Sequence, residues 1–226
     1  MWVAGLALAA GLARADVAGD MRAAEALRQE GRHEEAIQAY LALAERCTDI
    51  DQRFEAVRAA AACARLHTPG GEARALALCD QAGPAPYPMA CRATVYEWMT
   101  VPSNVVADLG SEDIAAWPEA LAAVGFSARS RAYFAMSNGP AAAADFLRAF
   151  QFGKSYAKWA ALQRLGDTYW KLLDDELLAE ACYRKCMADF GGGWPGLQAR
   201  VNLGELLVAQ ERYDAALQAL KGMPHI

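Results

Sequence analysis

Six cysteines, three histidines and one dense acidic run are the residues of this 226-residue chain whose types could do chemistry. Cys182 and Cys186 stand four apart, so on a helix they share a face and could offer two thiolates to a metal or a redox couple. No further ligand follows them at zinc spacing, and a bridge within a regular helix fits disulfide geometry poorly. The competing reading makes Cys186 a small core residue and Cys182 its neighbour. His33, His67 and His225 include no pair at four-residue spacing, so the helical two-histidine zinc motif is absent. Each is expected in solvent, at a turn, a helix end and the terminus. Asp174, Asp175 and Glu176 read as a solvated turn rather than a cation site. Gly191-Gly192-Gly193 precedes Trp194-Pro195 and lacks the Lys and Ser/Thr of a phosphate loop. No nucleophile elbow or haem-attachment motif occurs. Glu97, beside Tyr96 and Trp98, is the nearest thing to an acid in an apolar stretch. No cofactor is implied.

The elements that would position these groups are helices. The chain holds 52 Ala and 24 Leu against 14 Val plus Ile, a balance that favours helix over strand. The formal net charge of −5, with no basic cluster, argues against a nucleic-acid partner. Met1 to Ala13 carry no charge and lead into Ala13-Arg14-Ala15-Asp16, a small-x-small pattern like a secretory cleavage site. Residues 1–15 are therefore expected to be a signal peptide, although no Lys or Arg precedes the apolar run. The mature chain would then be exported, periplasmic or secreted, and soluble. Without cleavage the segment would be an N-terminal helix of a cytoplasmic protein. No later segment is uncharged and long enough to span a bilayer.

The helices repeat. Helices are expected over about Val17–Glu30 and His33–Cys47, with Gly31 between them as a helix-ending residue. In each second helix an Ala precedes a larger residue by four: Ala36/Tyr40, Ala75/Cys79, Ala142/Phe146, Ala179/Tyr183 and Ala216/Leu220. The Ala positions are separated by 39, 67, 37 and 37 residues, and the long interval leaves room for one degenerate unit. In each first helix a small residue precedes a large one by three: Ala24/Leu27, Cys63/Leu66, Ser130/Tyr133, Gly166/Tyr169 and Gly204/Leu207. Helices that cross closely need a small residue on one side, with a large one filling the groove beside it. One hairpin cannot bury its own apolar face, so hairpins of this kind must stack. A helix is also read at about Pro88–Met99, a short piece at Ser103–Leu109, and a further helix starting near Ser111 or Glu112.

Leu165-Gly166-x-x-Tyr169 and Leu203-Gly204-x-x-Leu207 resemble the first-helix motif of the tetratricopeptide repeat (TPR) family, and the Ala-x3-Tyr/Phe pairs resemble its second-helix motif. The turns Gly31–Ala36 and Glu211–Ala216 are similar to its inter-helix turn. The period is nearer 37 than the family's roughly 34, and the helix-ending Pro is mostly missing, with Pro224 the best candidate. The resemblance implies an all-α superhelical solenoid. Two hairpins would occupy 16–83, a degenerate unit 84–120 and three hairpins 121–226.

It also implies a non-enzymatic scaffold that binds a protein or peptide through a concave groove lined by first helices. Arg131, Phe134, Gln163, Asp167, Trp170, Lys171, Gln198 and Glu205 are selected for that groove, Phe134 and Trp170 competing with a core role. The family's carboxylate clamp uses Lys and Asn, which this surface replaces with Arg131, Asp167 and Glu205. The alternatives are a helical accessory region of a larger enzyme or envelope complex, and an enzyme with a site around Tyr96, Glu97 and Trp98. No polar helix follows the last hairpin, so either another chain, a second copy included, is expected to cover that end, or the sequence is a fragment of a longer protein. Cys63, Cys79 and Cys91 are the cysteines that a bridge could join (Cys63–Cys79 or Cys79–Cys91), with buried thiols as the other reading.

Overall fold

The computed structural model describes residues 16–154 and 156–221, so the expected signal peptide, Pro224 and His225 lie outside the described residues. Among the described residues there are twelve α-helices and no strands. Consecutive helices pack on one another, as in an all-α helical solenoid. No helix among them is long and apolar enough to cross a membrane. Contacts divide the chain into two compact units, one ending at Met99 and the other beginning at Thr100.

The first unit holds α1 (Val17–Gln29), α2 (His33–Arg46), α3 (Ile50–His67), α4 (Gly71–Cys79) and α5 (Tyr87–Trp98). Asp16 and Asp49 cap α1 and α3 by accepting from the amides of Gly19 and of Asp51 and Gln52, which satisfies donors the first helical turn leaves open. Besides its chain neighbours, α3 contacts α1 and α5. The core is built from Ala24, Ala36, Ile37, Tyr40, Phe54, Val57, Ala60 and Cys63, all buried.

The second unit holds α6 (Pro102–Leu109), α7 (Glu119–Ala135), α8 (Gly139–Phe152), α9 (Tyr156–Leu172), α10 (Glu176–Phe190), α11 (Trp194–Ala209) and α12 (Tyr213–Leu220). The first helices α7, α9 and α11 touch in succession, as well as each packing on its own second helix. The stretch 84–120 is not one unit. Its α5 packs in the first unit, while α6 and the short 3-10 turn Ile114–Ala116 pack on α7. The helix expected from Ser111 or Glu112 begins only at Glu119, because Pro118 sets its start.

The small-large register has a direct physical meaning. A Cβ on Gly166 would lie 2.6 Å from the Tyr183 ring, and one on Gly204 3.1 Å from Leu220. The small residue of each of these first helices therefore receives the large residue of its own second helix. Leu66 departs from the pattern and is exposed. The turn after it is built differently, with Thr68 donating its hydroxyl to the Ala64 carbonyl.

The hairpin turns repeat as well. Each contains one residue in the left-handed region: Gly31, Gly70, Ser137, Asp174 and Glu211. In three of them the large residue of the pair closes the turn through its carbonyl. Leu27, Tyr133 and Leu207 accept from the amides of Arg32, Asn138 and Arg212 at 2.8 to 2.9 Å. Tyr169 does the same for Asp175, one residue further on, in the acidic turn.

Candidate functional site

Helices α7, α9 and α11 carry all eight residues selected for a groove. Arg131 and Phe134 of α7 meet Phe146 of α8 and Arg164 of α9 around a recess of about 190 Å³. Phe146 is fully buried and Phe134 is half-buried, so the recess is walled by two phenyl rings and flanked by two guanidinium groups. Phe134 also packs on the core between α8, α9 and α10.

The remaining selected residues divide by burial. Gln163 is only 8% exposed, and its Nε2 is buried with no hydrogen-bond partner. Asp167 is buried and accepts from the Tyr183 hydroxyl at 2.8 Å. It also pairs with Arg164 at 3.3 Å. Asp167 is thus a helix-pairing residue, not a free acid in a groove. Tyr40 makes the equivalent bond to Glu25 at 3.0 Å in the first hairpin, so the repeat carries its own tyrosine–carboxylate link. Burial, together with Glu25, pushes the Tyr40 hydroxyl up to about 12. The Arg28 guanidinium hydrogen-bonded to Glu25 holds that carboxyl down at about 2.

Trp170 is half-buried and packs on the core joining α10 to α11 and α12, with the Lys171 ammonium over its ring at 5.4 Å. Lys171 and Glu205 are exposed. Gln198 donates to Asn202 on its own helix at 2.9 Å. The structure therefore brings Arg131 and Phe134 together in one recess, and spreads the others along α9 and α11.

The cysteines are six free thiols. Cys63 donates to the His33 carbonyl at 3.6 Å and Cys79 to the Ala75 carbonyl at 3.3 Å, while the thiols of Cys79 and Cys91 interact. Contact with Cys91 and burial push the Cys79 thiol strongly up. Cys182 and Cys186 are buried in the α8–α10 core, and burial raises their thiols to about 11 and about 12. Among the described residues no group of three His, Cys, Asp or Glu side chains could hold a metal ion.

His33 is half-buried, contrary to the solvent exposure expected of it. Its ring stacks on that of His67, with centroids 3.7 Å apart and planes within 5°. Desolvation and the neighbouring His33 ring hold exposed His67 below its ordinary value. Of the acidic run, Asp174 and Asp175 lie in the turn while Glu176 begins α10, and Asp175 caps that helix through the Leu178 amide.

Sequence reasoning missed Phe146 and Arg164 in the recess. Phe146 was read only as a pair partner of Ala142, and Arg164 lies one residue outside the selected face. It also missed Arg129 and Asp145. Their bidentate ion pair, at 2.6 and 3.0 Å, ties α7 to α8, and Arg129 also donates to the carbonyl of Leu109 at 2.7 Å. Asp145 stands immediately before Phe146 of the repeat pair, which was the one available signal.

No protein-family model matches the chain, and no curated protein matches it.

Proposed function

We propose that this chain is a non-enzymatic TPR-like scaffold, exported through its N-terminal segment, that binds a protein or peptide through the α7–α9–α11 surface. The observation that carries this reading is the recess between α7 and α9. An aromatic-walled recess with arginines at its rim has the composition of peptide-interface anchor sites, where aromatic and Arg residues dominate the energy. The tetratricopeptide assignment is supported by the Gly166–Tyr183 and Gly204–Leu220 contacts, which place the small and large motif residues against one another. The test is affinity capture from the native compartment with wild-type protein, Arg131→Glu and Trp170→Ala. Both variants are expected to retain helicity and to lose the captured partner. Unchanged capture by both overturns the surface assignment.

A second reading, a helical accessory region of a larger assembly, is favoured by the last helix. Tyr213 and Leu217 stand four apart on α12 and are 59% and 67% exposed. At the same places on α10, Glu176 and Glu180 receive Gln210 and Arg212 from the following turn. Sedimentation of Tyr213→Ser/Leu217→Lys beside wild type tests it, with loss of an associated species as the expected result.

A further inference from the structure

We propose that the stacked imidazoles of His33 and His67 form a pH-sensitive joint between the first two hairpins, closed while both rings are neutral and released in the mildly acidic range. His33 is the first residue of α2 and His67 the last of α3. Their rings lie face to face, with centroids 3.7 Å apart and planes within 5°. The same corner is tied twice more. The Cys63 thiol of α3 donates to the His33 carbonyl at 3.6 Å. Glu34 of α2 accepts from both terminal nitrogens of Arg74 in α4.

The groups around the rings leave a proton there uncompensated. Arg28 of α1 lies close enough to act on His67. Each carboxylate at this corner is already taken: Glu25 of α1 by Arg28, Glu34 by Arg74, and Glu30 and Glu35 by Arg32. Arg65 of α3 lies over the Trp98 ring. Burial pushes the Cys63 thiol up, so it stays neutral. Neither imidazole pairs with a carboxylate among the described residues. The His33 Nδ1 is buried without a hydrogen-bond partner, so a proton bound there would find no acceptor.

Desolvation, the His33 ring and Arg28 hold His67 below its ordinary value. A histidine whose folded value is depressed binds fewer protons folded than unfolded. Its contribution to stability is therefore complete above about pH 6.5 and is lost as the pH falls through the lower folded value. Two protonated rings stacked this closely repel, and the stack parts. Arg74 holds the Glu34 carboxyl below the usual carboxylate range, so that ion pair outlasts the stack. Acidification thus frees the end of α3 while α2 stays tied to α4.

The test follows the imidazole C–H resonances of the full chain by NMR from pH 8 to pH 5, with His67→Gln used for assignment. The His67 midpoint should lie below that of a free histidine. His33→Phe keeps a ring in the stack but removes the second titrating group, and should raise that midpoint by about half a pH unit, a threefold gain in proton affinity. Hydrogen exchange, corrected for the intrinsic rate, reads the joint itself. Protection of the last-turn amides of α3 should fall at least tenfold between pH 7.5 and pH 5, while that of the α4 amides holds. In His33→Phe/His67→Phe the stack carries no titrating group, so protection of α3 should no longer depend on pH. A His67 midpoint unmoved by His33→Phe overturns the proposal. So does equal protection of α3 at both pH values, or the same acid-dependent loss in the double variant. Equal loss in α4 overturns it as well, because the hairpins would then be unfolding together.

Discussion

At the residue scale, the most consequential contact of the second unit is one that no motif contains. Arg129 is held by both Asp145 oxygens and by a backbone carbonyl, and Asp145 is 6% exposed. A buried ion pair of this kind is weak evidence of net stabilisation, yet breaking it strands a charge. Asp145→Ala should therefore cost about 3–5 kcal/mol, read as a lower denaturation midpoint at unchanged m. The paired replacement Arg129→Met/Asp145→Leu should lose far less, because no charge is left buried. The same reasoning explains why Asp167 is no groove acid. A carboxylate next to the small residue of a first helix is within reach of the tyrosine that fills the small residue's gap.

At the element scale, glycine and alanine in the pairing helices are spacing devices. Gly166→Ala puts a methyl group into the Tyr183 ring, a ring fixed by its bond to Asp167. Overpacking of this kind costs about 1–3 kcal/mol. Gly204→Ala meets only the flexible end of Leu220, and the gain in helix propensity, about 1 kcal/mol, should leave it near neutral. Thermal melts of the two variants side by side check the contrast. The hairpin turns give a prediction of opposite sign. Ser137 adopts φ +59°, a conformation that disfavours any Cβ. Ser137→Gly should raise stability by about 0.5–1 kcal/mol, seen as a higher melting temperature. A fall would mean that the Ser137 side chain supports the turn.

At the scale of the whole molecule, burial decides the state of the thiols. Five of the six cysteines are buried, and only Cys47 is half-exposed. Thiolate is the reactive form, and burial in apolar surroundings suppresses it. Intact-mass analysis after brief iodoacetamide treatment at pH 8 should show at most one adduct on the native protein. Six adducts should appear after unfolding without reductant, and two fewer would reveal a bridge. The helix stacking that hides these thiols also places aromatic and arginine side chains from α7, α8 and α9 around one recess.

The sequence by itself determined the helical class, the hairpin units and the small-large register, because these depend on spacings of three and four residues that any helix must obey. It determined the turn at Gly31 for the same local reason. Only the tertiary structure decided which of the selected surface residues stay available. Gln163 and Asp167 share the helical face of Arg131's equivalents, yet both are buried, because neighbouring helices close over that part of the face. It likewise decided that Phe146 and Arg164 join Arg131 and Phe134, since the packing of three successive helices brings these side chains together. Local periodicity fixes the face of a helix on which a residue lies. What covers that face is set by packing between helices.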